Sequence, residues 1–420
     1  MIQNDNIDID NENHSYQNIL VILVFLAGLL NSRSYLLYMG LGSVYNLIIL
    51  SFYVLLVFTA FILTVDFLIK KKGHSYLTFP YWGVLVIAVM VKFLILFIQF
   101  PSLFMPGNVH YADFMTFARG FLLMIILVKS IKSIKSLINV TMALGVGTSF
   151  SVLIPIVFFP EMIGTRISEL NGFLFSGAFW NASVISYISV GWLLVAISAI
   201  EKSKLKKQIL LSIFFLLLFG SISGLSRAAL VSIVISAIVY LILTNKIFKY
   251  VKFTVVIALT FFVLAYFFPS TLDNLNSRLA GGVNIEDEAR TAIWTNYIEN
   301  IPDYWVFGQL EGDYRKYAPT GHGPHNVLLN WLVHFGVLAL VGFIIIIIGI
   351  LRTIKSTRTY ISKTMGAGLF AWLIAYLSVA LINETGYDQL TVFATIGIIL
   401  SIDKLIKFKG LDKNPSQCNY

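Results

Sequence analysis

Apolar runs of about 20 residues recur along this chain from Ile19 to Ile406, and about 20 residues is what a helix needs to cross the hydrocarbon of a bilayer. In hydrocarbon the backbone has no water to bond with, so a spanning segment is either a helix or part of a closed barrel. Barrel strands read as short alternating segments separated by turns, and that pattern is not present. The chain therefore reads as an all-α, polytopic membrane protein. Composition agrees, with 58% of the 420 residues hydrophobic and 12% charged, against roughly 25% charged in an ordinary soluble domain.

Twelve spans are predicted. The first nine cover about Ile19–Tyr38, Val44–Leu68, Tyr81–Phe100, Ala112–Val128, Leu137–Phe159, Ala178–Ile200, Ile209–Ser223, Ser226–Leu243 and Phe253–Phe268. After a long polar connection come Val327–Leu351, Thr364–Ile382 and Leu390–Ile406. The first run is interrupted by Asn31-Ser32-Arg33-Ser34. Basic residues test the count. They gather at Lys70–Lys72, Lys129–Lys135, Lys202–Lys207, Lys246–Lys252, Arg352–Lys363 and Lys404–Lys413, which are the connections after every second span. The positive-inside rule gives that alternation when those connections are cytoplasmic. Both termini are then inside and the long connection outside.

The expected organisation is a disordered cytoplasmic tail over 1–18, spans one to nine over 19–268, a large external loop over 269–325, spans ten to twelve over 326–406, and a second cytoplasmic tail over 407–420. The N-terminal stretch is acidic and has no basic n-region, so it does not read as a cleavable signal. The formal charge of +9 is explained by orientation rather than by a nucleic-acid partner. Cys418 is the sole cysteine, which leaves no internal disulfide and no cysteine metal site.

Nine basic residues remain once the cytoplasmic groups are set aside. Lys92 and Arg33 read as snorkelling or pairing groups, and Arg119 is balanced between packing and function. Arg227 is the strongest functional candidate, because it heads the eighth span in Ser226-Arg227-Ala228-Ala229, where small neighbours allow close backbone approach. Its planar fork of donors suits a phosphate or diphosphate. In the long loop, Ile285–Ile298 reads as an amphipathic helix with Arg290 and Trp294 on one face. The acids Glu286, Asp287 and Glu288 fall in its first turn, where the helix dipole favours them. Such a helix can lie along a membrane surface. Gly321-His322-Gly323-Pro324-His325-Asn326 then leads into the tenth span. Two histidines three apart without a third ligand make a poor metal site, whereas histidine serves well as a general base or hydrogen-bond donor. His334, inside the tenth span, reads as packing.

In order along the chain stand Gly177-Ala178-Phe179-Trp180-Asn181-Ala182-Ser183, Ser226-Arg227-Ala228-Ala229, the large loop with Arg290, Trp294 and the Phe307-Gly308 turn, and His325-Asn326. With twelve spans and the loop outside, this order resembles the O-antigen ligase and Wzy-type polysaccharide polymerase superfamily of bacterial envelope enzymes. Two departures are Ala182 where the family often has proline and Leu310 where it has a second glycine. The resemblance implies a GT-C-like fold and a metal-independent, inverting glycosyl transfer at the outer face of the inner membrane, with no cofactor. The implied donor is an oligosaccharide on undecaprenyl diphosphate. For a polymerase the acceptor is another lipid-linked repeat unit, and for a ligase it is the lipid A core. Carried onto this chain, Arg227 and Arg290 bind the donor diphosphate and neutralise the leaving group, and His325 contacts the acceptor hydroxyl or the diphosphate. Arg278, Arg315, Arg166, Asn181, Trp294, Asn326 and His322 are expected as substrate-binding helpers, and a chain-length regulator as a partner. The polymerase reading is favoured over the ligase by analogy. A flippase is disfavoured, since it would place cations along a central path and often carry an internal repeat.

Overall fold

The computed structural model describes residues 14–69, 81–105, 108–160, 169–170, 173–174, 178–224, 226–245, 266, 284–310, 314–317, 323–382 and 389–408. It is a helical, multi-pass membrane protein. Seven of the described helices have the length and apolar composition to cross a bilayer, and three shorter apolar helices accompany them.

The chain begins with α1 (His14–Leu29), a 3-10 turn at Leu30–Ser32 and α2 (Arg33–Tyr38), so the first predicted span is broken at its polar step. The break is held from outside: the Asn31 side-chain amide donates to the Ala182 carbonyl at 3.0 Å and to Ser186 Oγ at 2.7 Å. Next come α3 (Gly42–Ile69), α4 (Gly83–Gln99), α5 (Val109–Ser130) and α6 (Ile134–Phe158). The one pairing of strands among the described residues, Glu169–Leu170 with Phe173–Leu174, is antiparallel and two residues long. The predicted sixth span is α7 (Ala178–Ser186), a π-helical turn at Tyr187–Gly191 and α8 (Trp192–Ser198). A π turn frees backbone groups, and the Ser189 carbonyl accepts from the Trp372 indole at 2.8 Å. Then follow α9 (Lys204–Ser223) and α10 (Arg227–Thr244). The predicted ninth span, 253–268, lies outside the described residues apart from Tyr266.

The amphipathic helix expected in the long loop is α11 (Asn284–Glu299), followed by the short α12 (Ile301–Tyr304) and a 3-10 turn at Tyr314–Tyr317. The tenth predicted span is not continuous. It is divided at Gly336 into a nine-residue α13 (Val327–Phe335) and a 24-residue α14 (Val337–Tyr360). The bundle ends with α15 (Lys363–Ala380) and α16 (Leu390–Phe408).

Lipid tails are as apolar as leucine, so helices in a membrane associate by close packing of small residues and by interhelical hydrogen bonds. At the α1–α6 crossing, a Cβ on Gly28 would sit 2.8 Å from the Leu144 carbonyl oxygen, and one on Gly147 would sit 2.2 Å from that of Phe25. Ser232 of α10 donates to the Ala375 carbonyl of α15 at 2.9 Å.

The connections sort to two ends. One cavity is lined by the head of α6, the chain after α8, the α14–α15 connection and the last turn of α16, so four lysine-bearing stretches meet there. From that end α9 runs away and α10 returns, while α15 also runs away. Arg227 at the head of α10 and Leu381 after α15 therefore share the opposite end.

Candidate functional site

The opposite end carries the candidate site, and it is built on helix starts and breaks. Ser226 caps α10, its side chain accepting from the Ala229 amide at 3.3 Å. The cap sets Arg227 at the first helical position, half-buried, with Ala228 and Ala229 buried behind it.

Asn326 caps α13. Its side-chain oxygen accepts from the Leu328 and Leu329 amides at 2.9 and 3.3 Å, and its side-chain nitrogen donates to the Leu381 carbonyl at 3.0 Å. Ser232 meets Ala375, and five residues further toward the same end Arg227 comes level with Ala380. The one amide of Asn326 thus starts the histidine-bearing helix and fastens it to the helix that packs beside Arg227. Just before it, half-buried His325 has φ +49°. That left-handed conformation costs an L-residue with a Cβ about 1–2 kcal/mol, and such strain concentrates at functional sites.

The third piece comes from the long loop. The Trp294 indole of α11 donates to the Pro324 carbonyl at 2.8 Å, so α11 is tied to the Gly323-Pro324-His325 turn. Arg290, one helical turn before Trp294, is half-buried. On the same face α11 buries Ile293 and Tyr297 in a small core with Tyr304, Tyr317, Leu332 and Val333, against which Trp294 also packs. Tyr297 donates from its hydroxyl to the Tyr314 carbonyl at 3.3 Å, and Tyr304 donates to the Tyr297 carbonyl. Burial, then the neighbouring Tyr317 and Asp303, push the Tyr304 hydroxyl well above the ordinary tyrosine range, so it stays a donor. The described part of the loop, residues 284–310 and 314–317, is thereby a folded platform on α13.

The far end of α13 explains the broken span. Gly336 (φ +81°) and Gly308 (φ +74°) lie back to back. A Cβ on Gly336 would fall 2.0 Å from the Val306 carbonyl oxygen, and one on Gly308 would fall 2.4 Å from the backbone of His334. A helix that ends inside a bundle leaves carbonyls to be satisfied. The Leu332 carbonyl accepts from Gly336 N at 2.8 Å, that of Val333 from Gln309 N at 2.7 Å, and that of His334 from the Lys92 ammonium. Lys92 is 2% exposed and sits 5.2 Å over the Phe335 ring. His334 Nδ1 lies 3.4 Å from Asp113 Oδ2. The reading of Lys92 as a pairing group holds, and the reading of His334 as packing is incomplete, because it joins a buried polar node. Asp113 was missed; an acid within an apolar run is the signal that could have found it.

The remaining candidates separate. Arg119 donates to the Tyr53 hydroxyl and Thr116 Oγ1, both at 3.3 Å, a pairing between α5 and α3. Exposed Arg33 lies 5.7 Å over the Tyr45 ring. Arg315 is exposed in its 3-10 turn, beside Tyr314, whose ring lies 4.1 Å from that of His334. Arg166, Arg278 and His322 lie outside the described residues, and Asn181 is placed only as part of the α7 backbone.

No curated protein sequence matches the chain significantly. Residues 211–344 match the family described as O-antigen ligase. The matched segment runs from within α9 to within α14 and holds Arg227, Arg290, Trp294, His325 and Asn326, so over this stretch the chain is similar to that family.

Proposed function

We propose that this protein is a polysaccharide repeat-unit polymerase. It transfers a glycan from undecaprenyl diphosphate to a lipid-linked acceptor at the outer face of the bacterial inner membrane, through a metal-independent, inverting displacement. The juxtaposition of Arg227 with the Asn326–Leu381 tether, within the family segment, carries the reading. It sets a permanently charged guanidinium and a strained histidine at one end of the bundle, where a lipid-linked donor enters sideways from the bilayer.

Arg227 and Arg290 hold the diphosphate and take up the charge that develops as the glycosidic bond breaks. Arginine remains protonated at any working pH, and fixed positive charge at a developing anion acts as an oxyanion site does. His325 faces the acceptor hydroxyl or the diphosphate. Arg278, Arg315, Arg166, Asn181 and His322 are assigned to substrate contacts, with a chain-length regulator as a partner. Asn326 and Trp294 serve the site by placing His325. The lysine-bearing end is cytoplasmic, with both termini inside.

Arg227→Ala and Arg290→Ala are expected to leave protein in the membrane and abolish long-chain surface polysaccharide. Normal chain length in either variant overturns the diphosphate role. The second reading, transfer to the lipid A core, is favoured by the family's description as O-antigen ligase. Deleting the gene separates the two. Loss of a polymerase leaves lipid A core bearing one repeat unit, whereas loss of a ligase leaves bare core and accumulated lipid-linked polymer.

A further inference from the structure

We propose that the cavity at the lysine-bearing end binds an anionic phospholipid, with its phosphate among the rim lysines and the start of its acyl chains on the apolar floor. The cavity is about 510 Å³ and is lined by Ile134 and Leu137 of α6, Ile200 and Lys202 after α8, Ile361 after α14 and Leu405 of α16, among others. That volume falls within the range of about 300–1,000 Å³ typical of small-molecule sites. It lies where spans begin and end, at the level of headgroups.

Helix dipoles do not set the sign of this site. Starts of α6, α9 and α15 and ends of α8, α14 and α16 all meet there, so their fields oppose. The side chains decide it. The Lys404 ammonium donates to the Val128 and Lys129 carbonyls at 3.4 and 3.2 Å, which brings Lys404 against the Lys129–Lys132 connection just ahead of Ile134. Lys202 stands in the wall itself. The nearby acids are engaged elsewhere: Glu201, which also lines the cavity, accepts from the Ser203 amide at 2.7 Å, and Asp403 pairs with Lys407 at 2.6 Å. Cationic surplus around an apolar floor between spanning helices is the arrangement that takes an anionic headgroup with its chains. A free phosphate would leave the floor of isoleucine and leucine unused. This inference is independent of the chemistry at the opposite end.

The test uses the full chain purified in a neutral detergent, with native mass spectrometry and thermal unfolding in the presence of phosphatidylglycerol, phosphatidylcholine or inorganic phosphate. The expected result is a retained phosphatidylglycerol and a raised unfolding temperature, with neither effect from the other two. Lys132→Gln and Lys202→Gln should each weaken phosphatidylglycerol binding by about fivefold. Ile200→Trp, which fills the cavity and leaves every charge in place, should block it. If one variant fails to fold, the others still decide. Equal effects of phosphatidylcholine or of phosphate alone, or phosphatidylglycerol binding unchanged in the variants that fold, overturn the proposal.

Discussion

His325 separates what a residue does chemically from what its backbone requires. At φ +49° glycine is the unstrained occupant, so His325→Gly and His325→Ala both delete the imidazole while only the alanine keeps the strain. The glycine variant should be more stable than the alanine variant by about 1 kcal/mol, measured by thermal unfolding in detergent. Both should lose polymer synthesis. Activity in either variant removes the side chain from the mechanism. Lys92 makes the complementary case, since its ammonium caps the His334 carbonyl beside Asp113. Removing one partner of a buried charge cluster costs about 3–5 kcal/mol, so Lys92→Met should be strongly destabilised. Adding Asp113→Asn should recover part of the loss, because the pair is coupled. An additive double variant would show that the two do not share one node. In the sequence, Arg227 and His325 stand out because their neighbours are small or punctuating. Lys92 does not, because its partner is a carbonyl 242 positions away.

At the scale of elements, the division of α13 from α14 organises the site. Apolar residues fill both sides of Gly336, and glycine is common within membrane helices, so the sequence reads as one continuous span. The break is imposed by Trp305–Gln309 lying against the helix end: Gln309 N donates to the Val333 carbonyl and Val337 N to that of Trp305, at 2.7 and 2.6 Å. That contact is non-local, which is why periodicity could not reveal it. Helix existence, by contrast, was legible for α3 to α6, α9, α10, α15 and α16, where apolar length alone decides. The amphipathic α11 was legible from the spacing of Arg290 and Trp294. Gly336→Ala should push its Cβ into the Val306 carbonyl and cost at least about 2 kcal/mol. Amide exchange at Gln309 and Val337 should accelerate more than at the Leu328 amide, which the Asn326 cap protects at the other end of α13. Uniform acceleration along α13 would mean that the glycine pair is not a separate joint. Asn326→Asp keeps the cap oxygen and loses the donor to Leu381. It should be less destabilised than Asn326→Ala by about 1 kcal/mol.

At the scale of the molecule, orientation joins the two ends into one argument. Basic connections alternate along the sequence, and the stretches at 129–135, 202–207, 358–363 and 404–407 gather around one cavity. Arg227 and Asn326 lie at the other end. If the lysines face the cytoplasm, the arginines meet the outer leaflet, where a leaving diphosphate must be stabilised without ATP-driven machinery. The native Cys418 lies near the C-terminus and gives the first probe. In a Cys418→Ser background, Lys204→Cys reports the lysine-bearing end, and Thr295→Cys reports exposed positions on α11. A membrane-impermeant maleimide added to intact spheroplasts should label Thr295→Cys, and should label Lys204→Cys and native Cys418 only after lysis. The reverse pattern would place Arg227 and Arg290 at the cytoplasmic face, and the lipid-diphosphate displacement proposed for the outer leaflet would fail with it.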